Sequence, residues 1–198
     1  LPREWTTENY TAILSPDGSA SDLFIPALIN SIGISLLSTV ISVILATFAA
    51  YAIARLEFPG RKMILFASLA VSTFPVISIV TPLFNLWRNI GLYDTWPGLI
   101  IPYLSLTLPI SIWTLAAFFQ QIPWELEQAA QVDGATKWQA FTKTVVPLAA
   151  PGVFTTAIIT FIAVWNDYMI ALQFGTTPDM YTSIVALSKF TGQYGFDT

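Results

Sequence analysis

Four apolar runs, at about 23–54, 63–87, 95–122 and 147–167, are separated by short polar stretches. No Asp, Glu, Lys or Arg interrupts them until Asp167 closes the last. About 20 apolar residues cross a hydrocarbon core as a helix, so the 32 positions of the first run predict a tilted span or one projecting beyond the bilayer. Ser38, Ser42, Ala46, Ala50 and Ala54 recur every fourth position and make one small-residue face, which lets another helix pack closely. Pro75 and Pro82 in the second run predict a kink or a break, and Pro102 and Pro109 fall in the third.

The polar stretch 123–146 predicts two short helices. Pro123 suits a first helical position, and Glu125 and Glu127 then lie near the positive end of the helix dipole. Gly134 stands where a left-handed residue is needed to end the helix, and a side chain there is expected to wedge the two helices apart. Thr136 and Gln139 form a capping-box pair. Trp138, Phe141, Val145 and Leu148 then give an apolar stripe at helical spacing. Local geometry alone fits either a docking loop or a hairpin that merely links two spans.

Composition narrows the class. Of 198 residues, 55% are hydrophobic and 10% charged, against about 25% charged in soluble domains, so the chain reads as an integral membrane protein. A net charge of −4 with no basic cluster offers no nucleic-acid footprint. Without cysteine or histidine there is no disulfide, thiol catalysis or histidine metal site. Serines such as Ser105 and Ser111 have no base beside them in the sequence, and no Gly-x-x-x-x-Gly-Lys phosphate loop occurs. Arg55, Arg61, Lys62, Lys137 and Lys143 fall on one predicted side and Arg3, Arg88 and Lys189 on the other. The positive-inside rule therefore makes 55–62 and 123–146 cytoplasmic. Residues 1–22, with a turn signal at Pro16-Asp17-Gly18-Ser19, and 174–198 become extracytoplasmic loops flanking a membrane domain at 23–173.

The order Glu127-Gln128-Ala129-Ala130, Asp133-Gly134-Ala135, Phe141 and Pro147 resembles the cytoplasmic "EAA" motif of permeases in binding-protein-dependent ABC importers. The motif's own Glu position holds Gln128, one residue after Glu127. Ala50-Tyr51-Ala52-Ile53-Ala54-Arg55, Phe58-Pro59-Gly60-Arg61 and Trp165-Asn166-Asp167 are similar to stretches of the carbohydrate, maltose/trehalose-type branch. The resemblance implies an all-α membrane protein, a MetI-like helical bundle in a prokaryotic inner membrane, with a coupling-helix loop. It further implies that the four spans are the second to fifth of an expected six, the final span being absent.

The same resemblance assigns Glu127, Gln128, Ala129, Ala130, Asp133, Gly134 and Ala135 to coupling with a cytosolic ATPase. It implies no cofactor in this chain, ATP and Mg being bound by two ATPase subunits. A second permease, an extracytoplasmic solute-binding protein and a sugar complete the set. Uncharged runs carrying Asn30, Asn85 and Asn166 suit a polyhydroxylated solute, and Asn85, Asn166 and Asp167 are candidates for its path. Two other readings remain open, a permease for another small solute and a structural subunit that transports nothing.

Overall fold

A computed structural model describes residue 7 and residues 21–193. The expected N-terminal loop, with its turn at 16–19, falls almost entirely outside the described residues. The described part is helical: α1 Ser21–Arg55, α2 Arg61–Ser72, α3 Val76–Ile90, α4 Trp96–Gln121, α5 Trp124–Val132 and α6 Lys137–Ala140 come first. A π-helical turn Phe141–Val145, α7 Val146–Leu148, α8 Ala150–Trp165, α9 Met169–Phe174, a 3-10 turn Pro178–Met180 and α10 Ser183–Gln193 complete it.

Residues 23–55 of α1 and the whole of α4 are long and apolar enough to cross a membrane. The pairs α2/α3 and α6–α7/α8 pass as two more only if each broken pair counts as one span. The second run is therefore broken rather than kinked. Pro75 has no N–H and restricts the residue before it, and the chain tightens there through Thr73 N–H to the Ala70 carbonyl and Phe74 N–H to that of Val71. Pro82 is carried inside α3, as Pro102 and Pro109 are inside α4.

The contacts divide into two compact units. One comprises residues 37–75 and 102–164. Its core is Ala46, Ala50, Ile53, Leu115, Ala116, Phe119, Phe141, Val145 and Ala149. The small-residue face of α1 is thus packed within the chain, with Ser38, Ser42, Ala46 and Ala50 fully buried. Hydroxyls link three helices across this core: Thr107 donates to Ser42 at 3.1 Å, Ser42 lies 3.5 Å from Ser111, and Ser111 lies 3.1 Å from Thr160. In an apolar surrounding such pairs satisfy side chains that would otherwise be costly to bury. The opposite face of α1, with Val40, Ile44 and Phe48, is apolar and exposed.

The other unit comprises the described residues up to Leu36, then 76–101 and those from 165 onward. Asn30 organises it. Its amide donates to the carbonyls of Asp179 at 2.7 Å and Tyr181 at 3.2 Å and accepts from the Trp96 indole at 3.0 Å. Ser31 meets Ser183 at 2.9 Å, and Trp87 donates to the Gly98 carbonyl at 2.7 Å.

Candidate functional site: the capped hairpin after α4

The polar stretch folds as two capped helices. Trp124–Val132 is helical and Pro123 caps it at φ −57° and ψ 133°, one position earlier than the sequence predicts. Pro123 still introduces the helix, since its missing N–H would be unpaired there anyway. At the far end Gly134 has φ +91°. Ala135 N–H reaches the Ala130 carbonyl at 2.9 Å and Gly134 N–H that of Gln131 at 3.1 Å, the paired bonds of a Schellman ending. The next helix starts with the expected capping box, Thr136 Oγ1 accepting from Gln139 N–H and Gln139 Oε1 accepting from Thr136 N–H.

The expected apolar stripe breaks its period. Phe141 and Val145 are buried, but Trp138 is 60% and Leu148 49% exposed. Through the π-helical turn each residue advances less around the axis than in an α-helix. Ala149, not Leu148, comes to the buried face. Trp138 stacks on Phe48 instead, with centroids 6.1 Å apart. The helix then bends by 69° into α8.

Along α5 and the turn that ends it, the predicted coupling residues separate. Gln128, Ala129, Asp133 and Gly134 are exposed, with Val132 beside them, while Ala130 and Ala135 are half-buried. Glu127 turns the other way and is 2% exposed. Its Oε1 accepts the Tyr51 hydroxyl at 2.5 Å, and its Oε2 lies 3.7 Å from Arg55 Nε. Glu127 therefore faces inward as an anchor of α5, away from the exposed Gln128, Ala129 and Asp133. The cause is electrostatic: the carboxylate finds its counter-charge at the end of α1, and α5 rolls to meet it.

Arg55 does more than end α1. Its Nη2 donates to the Ile122 carbonyl at 2.9 Å, and its guanidinium lies 5.2 Å from the centroid of the Trp124 ring. Tyr51 packs on Phe141 at 4.5 Å and edge-on to Phe119 at 6.2 Å. The sequence reading missed Tyr51 and Arg55 as site residues. The available signal was a phenol one helical turn before a cation at the end of an apolar run.

The path candidates lie in the other unit. Asn85 is exposed on α3, and Asn166 is exposed beyond the end of α8. Asp167 is half-buried, and its carboxylate accepts Ile170 N–H at 2.9 Å at the start of α9. Asn30 is withdrawn as a lining group, because its amide is engaged on both ends within the protein.

Helices of spanning length joined by a capped, partly exposed hairpin define a multi-helix membrane component with a polar hairpin outside the apolar runs. Residues 38–196 match the family described as "Binding-protein-dependent transport system inner membrane component", and the chain belongs to that family. It is 54% identical to the trehalose transport system permease protein SugB of Mycobacterium tuberculosis, over 100% of this chain and 70% of that one. It is 40% identical to the trehalose/maltose transport system permease protein MalG of Thermococcus litoralis, over 96% and 67%. A solved bacterial ABC transporter that imports the acidic polysaccharide alginate superposes with a TM-score of 0.80 at 27% identity, over 96% of this chain and 64% of that one. The chain thus spans about two thirds of the length of the proteins it matches. It is a permease component of the inner membrane, and nucleotide hydrolysis belongs to partner subunits.

Proposed function

We propose that this chain is the permease of an ATP-driven sugar importer and forms half of its translocation path. The observation that carries this is the 54% identity to a trehalose permease along the whole of this chain and 70% of that one. A second permease would supply the other half, two cytosolic ATPases the energy, and an extracytoplasmic binding protein the solute. Helix α5 would seat in a groove of one ATPase, with Gln128, Ala129 and Asp133 on its outer face, where the small Ala129 permits close approach. Gly134 and Ala135 hold the turn that ends this face, and Ala130 lends its carbonyl to the same turn. Closure of the ATPases would move α5 and open an outward-facing path.

Asn85, Asn166 and Asp167 are proposed as polar groups along that path, suited to hydroxyl-rich solutes by their mixed donors and acceptors. The test is uptake by the complete transporter in liposomes, with radiolabelled trehalose and maltose against a non-carbohydrate solute such as an amino acid. ATP- and binding-protein-dependent uptake of a disaccharide is the expected result. Uptake of the amino acid without competition by either sugar would reject the sugar reading while leaving the importer reading standing.

A further inference from the structure

Arg55 holds three successive features of the segment leading into α5. It donates to the Ile122 carbonyl at 2.9 Å, covers the Trp124 ring at 5.2 Å, and faces Glu127 Oε2 at 3.7 Å. The side chains of Arg55 and Glu127 are 6% and 3% exposed. Tyr51 completes the node by donating to the other Glu127 oxygen at 2.5 Å. We propose that Arg55, with Tyr51, is a positioning residue that clamps the first turn of α5 to the end of α1, so that displacement of α5 drives that helix. This rests on the reading of α5 as the coupling helix.

The chemistry supports a clamp over a passive contact. Pro123 offers no N–H, so the link between α4 and α5 is held from outside, and the Ile122 carbonyl is one of the groups a helix end leaves unpaired. A carboxylate this buried must be paired, and removing one partner leaves the other charge stranded. Arg55 Nε and Glu127 Oε2 have no hydrogen-bond partner among the described residues. Their 3.7 Å separation exceeds a charge-assisted hydrogen bond of about 2.8 Å, so an approach of about 1 Å by α5 would make that bond. A planar guanidinium can bond a carbonyl, stack on an indole and face a carboxylate together, which a lysine ammonium cannot.

The experiment uses the complete transporter in liposomes and reads two quantities. One is the ATPase retained on affinity-purified permease. The other is the ratio of ATP hydrolysis with binding protein and trehalose to basal hydrolysis. A merely structural role would lower assembly or both hydrolysis rates together and leave the ratio alone. Arg55→Gln should retain the ATPase and lower the ratio about tenfold, in the range of ordinary inter-site coupling. Tyr51→Phe, which removes one oxygen, should lower it less and carries the test if Arg55→Gln fails to assemble.

Because the charges act as a pair, the double variant Arg55→Gln/Glu127→Gln should fall no further than the worse single variant. A wild-type ratio in Tyr51→Phe and Arg55→Gln, or losses that multiply in the double variant, would overturn the clamp. Gly134→Asp serves as the control on the underlying reading. Full ATPase retention and stimulation in that variant would remove the coupling-helix assignment and the clamp together.

Discussion

The Asp94 carboxylate accepts the Thr177 hydroxyl at 2.6 Å, 83 positions along the chain. The same carboxylate accepts Thr176 N–H at 2.8 Å and Thr177 N–H at 3.2 Å, and Asp94 N–H in turn donates to the Phe174 carbonyl at 3.2 Å. Asp94 adopts φ 58°, a left-handed conformation that Asp and Asn tolerate better than other side chains. One residue thus turns the chain between α3 and α4 and fastens it to the turn after α9.

Asp94→Ala should therefore lose on two counts, the three accepted bonds and the ease of the left-handed backbone. The expected loss is about 2 kcal/mol, discounted because the contacts are partly solvated. Asp94→Asn keeps one acceptor oxygen and the backbone preference, and should lose about half as much. Thermal unfolding of the detergent-purified protein ranks the three. An alanine variant as stable as wild type would show that this fastening contributes nothing.

The contrast between Gly134 and Glu127 explains what the sequence could and could not reveal. The cap at Gly134 and the box at Thr136 and Gln139 depend on residues within five positions, so residue order alone places them. The small face of α1 was legible for the same reason, because a strict four-residue repeat leaves it no other use than packing. The inward turn of Glu127 depends on Tyr51, 76 positions away, and no local pattern announces it. Leu148 was misplaced because periodicity assumes a constant helical advance and the π-helical turn at Phe141–Val145 changes it. Pro75 and Pro82 look alike in the sequence, yet the helix breaks just before Pro75 and runs unbroken through Pro82.

Gly152 is fixed by close approach rather than by backbone angle. A Cβ there would fall onto the Phe118 ring, and Gly152 is itself buried. Gly152→Ala should destabilise the protein by about 1–3 kcal/mol, the usual cost of overpacking a filled core. Combining it with Phe118→Ala should recover part of that loss, since the Cγ and Cδ atoms that the new Cβ would meet are then gone. Midpoints of chemical unfolding for the two singles and the double decide it, and strictly additive losses would mean that the two residues are not coupled.

The membrane orientation can be read chemically because the chain has no cysteine. Single cysteines at Thr7, Gly60, Thr136 and Lys189 should react with an impermeant maleimide from outside intact cells only at Thr7 and Lys189. Permeabilising the cells should expose Gly60 and Thr136. These expectations follow from the placement of Arg55, Arg61, Lys62, Lys137 and Lys143 on one side. External labelling at Gly60 would invert the proposed topology.

Gly134 offers the sharpest separation of backbone strain from surface chemistry. At φ +91° it pays no Cβ penalty, whereas other residues pay roughly 1–2 kcal/mol. A Cβ there would meet nothing within 4 Å, so alanine at this position does not wedge α5 and α6 apart. The cost of a substitution is therefore conformational, plus whatever an ATPase seated on the hairpin would feel. Asparagine tolerates the left-handed region and should restore most of the stability that alanine loses, about 1 kcal/mol. Aspartate shares some of that tolerance, but it adds a charge beside Asp133 on the outer face. Three variants then divide the effects: Gly134→Ala should lower stability with the ATPase still bound, and Gly134→Asn should leave both near wild type. Gly134→Asp should keep most of the stability and lose ATPase association and uptake. The paired measurements are thermal unfolding of the permease and ATPase retention on the purified complex. Should retention track stability across all three variants, the hairpin's role would be structural and not one of docking.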